Sequence, residues 1–210
     1  LIFDEMVTGF RWARAGGQEY FSVVPDLATF GKAIANGLPL AFLCGRKDLM
    51  RHAEIVHGGT FGGDALSLAA CNAVLDVYEK EPIIDTLWKR GKQLQQHFND
   101  TAARLGIAAA CDGFPCKPRI AFPIQDTASP GRQGHHPLLE MSLFLQETAA
   151  QGVLFHPVNC NVNAAFTDQD MLITFRAIDA ALTAVAKAAQ SEDWSALTGD
   201  PIEPVGPLRT

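Results

Sequence analysis

Apolar and polar positions along this chain of 210 residues follow two rhythms. Leu1-Ile2-Phe3 is an apolar run that ends in Asp4-Glu5, which predicts a strand over 1–3 with a carboxylate at its carboxyl end. Residues 9–25 mix glycine with aromatics and predict a loop. A short apolar run predicts a strand over 38–44, a short helix follows over 46–53, and the glycine-rich stretch 57–63 predicts a flexible turn. Leu66, Ala70, Val74 and Val77 then recur at helical spacing and predict a helix over 64–79. Pro82, tolerated in a first turn, opens a longer helix. Along it Ile84, Leu87, Gly91, Leu94, Phe98, Ala102 and Leu105 keep a three- or four-residue period.

After Gly106 the rhythm changes. Strands are predicted over 107–111 and 119–124, a Pro/Gly/His loop over 126–137, a helix over 138–150 and a strand over 153–156. A helix over 168–189 follows, with Thr167 as its N-cap. The tail 191–210 carries prolines at 201, 204 and 207 and too few apolar residues for a core, so little fixed structure is expected there. The alternation of strands and helices predicts an α/β region over 1–105, a small α+β domain over 106–190 and the proline-containing tail.

Composition narrows the class. A hydrophobic fraction of 48% and a charged fraction of 19% fit a soluble globular protein. A net charge of −6 argues against a nucleic-acid surface, which needs a basic stripe. No apolar run reaches membrane-spanning length. The five cysteines, at 44, 71, 111, 116 and 160, are scattered and read as buried thiols in a reducing cytoplasm. Metal ligation by Cys111 and Cys116 is the weaker reading.

The candidate chemistry lies near the start. Asp4 closes the first strand, and 28 positions later Lys32 sits in a glycine-flanked turn, Phe30-Gly31-Lys32-Ala33. A lysine amine forms a Schiff base with an aldehyde cofactor, and a carboxylate holds a pyridine nitrogen protonated so that the ring becomes an electron sink. That pair suits pyridoxal 5'-phosphate. The plain alternative is a surface lysine and a strand-end aspartate.

The surroundings favour the first reading. Asp4-Glu5-x-x-Thr8-Gly9-Phe10-Arg11, Gly17-Gln18-x-Tyr20-Phe21 and Pro25-Asp26-Leu27-x-Thr29-x-Gly31-Lys32 resemble the class III aminotransferases. They are most similar to the branch around glutamate-1-semialdehyde 2,1-aminomutase. Gly59-Thr60-Phe61-Gly62-Gly63-Asp64 through Ala70, and Gly152 through Asp170, resemble later segments of that family. The likeness covers about residues 1–190. It implies the type I pyridoxal-phosphate-dependent transferase fold, here as the end of its large α/β domain and its small C-terminal domain. It implies Lys32 and Asp4 as catalytic and cofactor-binding residues, and Thr60 as a phosphate ligand for the neighbouring subunit of a homodimer with a shared active site. Val7 stands beside the cofactor ring, where many members have Gln, and this favours the aminomutase-like branch.

Other residues stay open between two roles. Glu5 either hydrogen-bonds backbone near the site or has ordinary structural duty. Trp12, Tyr20 and Phe21 shape a substrate pocket or pack on the domain beneath. His57, His135, His136 and His156 are not separable from structural or solvated histidines. The chain opens inside an apolar strand without an initiator Met, and the glycine-rich phosphate loop that the resemblance implies is missing. The expectation is therefore a C-terminal portion of the enzyme, inactive by itself. Three functions compete: an aminotransferase, an aminomutase acting within one substrate, and a non-catalytic piece that keeps only fold and dimer surface.

Overall fold

The computed structural model describes residues 1–52, 60–122, 136–157 and 160–202, which fall into two compact units, Leu1–Leu87 and Trp88–Thr210. The predicted turn residues 57–59 with His57, the loop residues 126–135 with His135, and residues 203–210 lie outside the described residues.

In the first unit, β1 (Ile2–Asp4) pairs in parallel with β2 (Leu27–Phe30), and β2 pairs antiparallel with β3 (Phe42–Gly45). A parallel pair needs a crossover of a dozen or more residues. Here it is the segment after Asp4, which contains the short helix α1 (Gly17–Phe21) where only a loop is predicted. β2 was hidden from the periodicity because its alternation, Leu27-Ala28-Thr29-Phe30, spans only four residues. Inward-facing Ala28 and Phe30 are buried, 3% and 5% exposed. β3 is shorter and later than the predicted strand over 38–44. α2 (Lys47–Met50) follows it.

α3 (Ala65–Lys80) starts at Asp64, whose carboxylate caps it by accepting the Ser67 N–H and hydroxyl, each at 2.8 Å. Those donors hold the Asp64 carboxyl below its usual range, the backbone N–H contributing most. The packed face of α3 runs through Ser67, Ala70, Cys71, Val74, Leu75 and Tyr78. Leu66 and Val77, predicted on the inner face, are exposed. The capping carboxylate satisfies the Ser67 hydroxyl and lets a polar residue take the buried position. A chain of rings ties strands, crossover and α3 together. Phe42 stacks on Phe30 at 5.1 Å, Phe30 meets Phe10 edge-on at 6.0 Å, and Phe10 meets Tyr78 at 5.6 Å. The Tyr78 hydroxyl donates to the Phe10 carbonyl at 2.5 Å, and burial pushes its pKa up against the opposing charge of Arg11.

α4 (Ile83–Leu105) keeps the predicted period, and Leu87, Leu94, Phe98 and Ala102 are all buried. In the second unit it packs with the antiparallel hairpin β4 (Ala110–Phe114) and β5 (Lys117–Ala121), α5 (Pro137–Ala150) and α6 (Asp168–Ser191). Phe144 is the hub, with ring centroids 5.7 Å from Phe98, 5.9 Å from Phe122 and 5.5 Å from Phe155. Leu143, Ile178, Leu182 and Val185 are completely buried around it. Each such side chain contributes roughly 1.5–3 kcal/mol by leaving water. Asn99 of α4 clamps the hairpin by accepting the Cys111 N–H at 2.8 Å and donating to the Cys111 carbonyl at 3.0 Å. α6 begins with a full capping box between Thr167 and Asp170.

The second unit corrects three expectations. The hairpin strands are shifted, because Gly113 at φ 78° and the two-residue turn Pro115-Cys116 set the register. Residues 153–156 form no strand, and Leu154 is 86% exposed. The tail is held at least to Ile202: Gln146 donates to the Ala196 carbonyl and accepts from the Thr198 N–H, and Ile202 N–H donates to the Ser142 hydroxyl. Cys111, Cys116 and Cys160 are buried, whereas Cys44 is exposed. Burial pushes the thiols of Cys111 and Cys160 up to about 12 and about 11. Among the described residues no helix is long and apolar enough to cross a membrane.

α4 meets the hairpin at Gly91, where an added Cβ would run into the Pro115 carbonyl. Ala is the better helix former by roughly 1 kcal/mol. Overpacking against backbone costs roughly 1–3 kcal/mol or more, so the clash prevails. Gly91→Ala is expected to lower the urea midpoint of the chain, followed by circular dichroism. A raised midpoint would mean that the helix and hairpin do not meet this closely.

Candidate active site

Two of the candidate residues, Asp4 and Lys32, lie at and just past the carboxyl ends of the parallel pair. The register aligns Ile2 with Leu27, Phe3 with Ala28 and Asp4 with Thr29, and Glu5 N–H donates to the Thr29 carbonyl at 2.9 Å. Asp4 therefore ends β1 at the level where β2 is about to deliver Lys32. Open α/β sheets place ligands at such carboxyl ends.

Lys32 starts a single 3-10 turn, Lys32–Ile34, and adopts φ 47°. A non-glycine residue in the left-handed region carries strain on the order of 1 kcal/mol or more, and such strain gathers at functional positions. Buried neighbours anchor the turn. Ile34 and Ala35 are 1% and 2% exposed, and α3 packs against the turn. On the other side an added Cβ at Gly31 would strike the Met6 thioether, its sulfur 2.8 Å away. Only glycine lets the residues after Asp4 close over the lysine turn. The Lys32 side chain itself is exposed.

Asp4 is also exposed, and one carboxylate oxygen accepts the Met6 N–H at 3.0 Å. Among the described residues neither Asp4 nor Lys32 is in an ion pair. Val7, half-buried, lies in the turn directly after this edge. Thr60 is exposed in the turn that leads to α3, and no hydrogen bond joins it to Asp4 or Lys32.

Glu5 is the residue that sequence reasoning left undecided, and its place in the structure is plain. Its side chain is 1% exposed. It accepts the Thr8 hydroxyl, the Gly17 N–H at 2.9 Å and the Gln18 N–H at 3.1 Å. The carboxylate thus closes the crossover onto β1 and satisfies the first N–H groups of α1. Gly16, at φ 76°, leaves it room, because a Cβ there would collide with the carboxylate. Beyond this closure the rings of Trp12, Tyr20 and Phe21 pack on one another, with centroids 5.0–5.8 Å apart. Tyr20 and Phe21 stay 44% and 53% exposed. In the second unit, His136 occupies the N-cap position of α5 with no side-chain cap bond and lies 6.0 Å edge-on from Trp194, and His156 is exposed.

The family model for aminotransferase class-III matches residues 1–110, more than half of the chain. The chain belongs to the class III aminotransferases. Its fold is α/β, of the type I pyridoxal-phosphate-dependent transferases. Among similar proteins is glutamate-1-semialdehyde 2,1-aminomutase of Methanosarcina acetivorans, 32% identical over 84% of this chain and 43% of its own length. The enzyme of that name from Methanococcoides burtonii is 34% identical over 69% of this chain and 37% of its own. Among solved structures, the FumI protein of Sphingopyxis sp. MTA144, in its PLP internal aldimine form, has a TM-score of 0.80 at 28% identity. That match covers 91% of this chain and 44% of FumI. An omega-transaminase from Sphaerobacter thermophilus superposes with a TM-score of 0.74 at 21% identity, which speaks for fold alone. The chain spans less than half the length of these relatives.

Glu5 gives this class III chain a test of its crossover. Replacing the carboxylate by an amide in Glu5→Gln turns a donor toward groups that are themselves donors, which costs roughly 1–3 kcal/mol. A matching drop in unfolding free energy is expected from urea titration. An unchanged midpoint would show that the buried carboxylate does not hold the crossover.

Proposed function

We propose that the protein to which this chain belongs is a pyridoxal-5'-phosphate-dependent aminotransferase, with Lys32 and Asp4 as its catalytic pair. One observation carries the reading. β1 ends at an exposed carboxylate, Asp4, and two residues past the end of its parallel neighbour β2 an exposed amine, Lys32, stands on strained backbone, neither in an ion pair among the described residues.

The residues present fit the cofactor. An amine without a fixed anion is available to an aldehyde, and a carboxylate without a fixed cation is available to a protonated ring nitrogen. Lys32 would hold the cofactor covalently through Nζ, and Asp4 would keep its ring nitrogen protonated. When bound, the cofactor supplies an electron sink for the carbon that bears the substrate amine. Lys32 Nζ would move the proton at this carbon, as a general base and then a general acid. Val7 would offer an apolar contact to the ring. Thr60, just ahead of a helix start, would serve the cofactor phosphate of the neighbouring subunit in a homodimer. The small substrate exchanges an amine for a carbonyl.

Intramolecular transfer is the second reading, and the names of the relatives at 32–34% identity favour it. Glutamate-1-semialdehyde supplied without a separate amino donor or acceptor separates the two. Turnover under that condition identifies an aminomutase, and a need for a donor identifies an aminotransferase. A protein that keeps only fold and dimer surface shows no cofactor absorbance.

Borohydride reduction of the cofactor-loaded protein followed by peptide mapping is expected to label Lys32, and Lys32→Ala is expected to lose the visible band and nearly all turnover. Label on another lysine would sink the assignment. Asp4→Asn is expected to keep the cofactor but slow single-turnover proton transfer by two or more orders of magnitude, an order-of-magnitude expectation for a lost ionic partner. Near-normal turnover would remove Asp4 from the site.

The shared-site reading is tested with mixed subunits. A Lys32→Ala subunit paired with a Thr60→Ala subunit places both lesions in one site and leaves the other intact. Partial return of activity is expected. No return despite confirmed exchange would place Thr60 in its own chain's site or outside any site.

A further inference from the structure

The turn that carries Lys32 runs directly into a second tight turn. Leu38 N–H donates to the Ala35 carbonyl at 3.2 Å, which closes a turn with Asn36 and Gly37 at its centre. Both central residues have positive φ, 46° and 109°, as in the type I′ turn that favours Asn-Gly. Both are exposed. Asn36 donates its own N–H to the Lys32 carbonyl at 3.2 Å. The Asn36 side chain and the Gly37 N–H make no hydrogen bond among the described residues. A Cβ added at Gly37 would meet nothing within 4 Å.

The amide carbon of an asparagine is an electrophile for the backbone nitrogen that follows it, and their union closes a succinimide ring. Folded chains prevent this in three ways. A side chain on the next residue crowds the nitrogen, a hydrogen bond holds it, or a helix or strand fixes the backbone. None of these applies at Asn36-Gly37, because glycine has no side chain and leaves the backbone freest to rotate. Asn36 is the one asparagine in the sequence that glycine follows. Asn72 and Asn99 lie inside α3 and α4, and the Asn99 amide is engaged with Cys111. An Asp-Gly pair undergoes the same closure more slowly. At Asp112-Gly113 the carboxylate is held by Arg119 at 3.0 and 2.8 Å on the hairpin.

We propose that Asn36 is a site of spontaneous modification, converted through a succinimide to isoaspartate and aspartate. The Gly37 nitrogen bonds to Asn36 Cγ and the Cγ–Nδ2 bond breaks. The amide nitrogen leaves as ammonia, taking the proton that the Gly37 nitrogen loses. Water then opens the ring and returns a proton to that nitrogen. Opening at the backbone carbonyl gives isoaspartate, and opening at Cγ gives aspartate. No group is oxidised or reduced. Either product places a carboxylate in the turn. Isoaspartate also adds a methylene to the main chain, directly after the buried anchors Ile34 and Ala35. The site does not depend on the role proposed for Lys32.

The test incubates the full chain at neutral pH, folded and in parallel unfolded in urea. Peptide mapping follows position 36, with isoaspartate and aspartate detected separately. The folded chain is expected to convert Asn36, with isoaspartate the larger product, at a rate within about tenfold of that in urea, since reacting atoms that the fold leaves free to meet lose little rate. Asn72 and Asn99 are expected to stay intact in the folded chain. Gly37→Ala is compared with the parent in urea, where folding of the variant plays no part, and is expected to slow conversion about tenfold or more by holding the reacting atoms apart. Conversion in urea but not in the folded chain, aspartate without isoaspartate, faster conversion at another asparagine, or a Gly37→Ala rate equal to that of the parent would each overturn the proposal.

Discussion

Everything at the candidate active site depends on the parallel pairing of β1 with β2. Three residues on each strand are in register; Asp4 ends that register on β1, and Lys32 follows two residues past the end of β2. Side chains alternate along a strand, so a slip of one residue would move every side chain to the other face. The crossover that makes parallel pairing possible is short of apolar content at its closure. It is drawn in by a buried carboxylate, Glu5, which gathers one hydroxyl and two backbone N–H groups. Such a closure is directional. It fixes where the chain returns, whereas apolar contact alone would leave the crossover free to slide.

Strain at Lys32 is held by its neighbours rather than by its own interactions. The left-handed residue has Gly31 before it, where nothing larger fits under Met6, and buried Ile34 and Ala35 after it. Burial of one Ile side chain contributes roughly 1.5–3 kcal/mol, enough to offset a single strained residue at roughly 1–3 kcal/mol. The amine is left exposed and outside any ion pair among the described residues. That is the condition a covalent cofactor contact requires.

In the second unit, polar side chains stand in for backbone. The amide of Asn99 pairs both backbone groups of Cys111, and the amide of Gln146 pairs the chain at Ala196 and Thr198. These amides join segments that no ladder joins. They explain why a short hairpin and a proline-containing tail have fixed places beside helices whose own packing is apolar.

Much of this was legible in the residues. The long helices α4, α5 and α6 follow from apolar periods of three and four, because one helical face must leave water whatever it meets. Asp4 and Lys32 stood out as candidates because their neighbours carry a pattern that spacing alone does not. Other features were decided only by tertiary contact. β2 is too short for its alternation to stand out, and it exists because β1 and β3 flank it. Residues 153–156 are apolar enough for a strand but have no ladder partner among the described residues. The inner face of α3 runs through Ser67 rather than Leu66, because the cap at Asp64 satisfies a hydroxyl that composition would place outside. The closure by Glu5 depends on distances between residues that the linear pattern does not bring together. A linear pattern records which groups a chain carries, but whether a charge is buried, and against what, is settled only when the chain closes on itself.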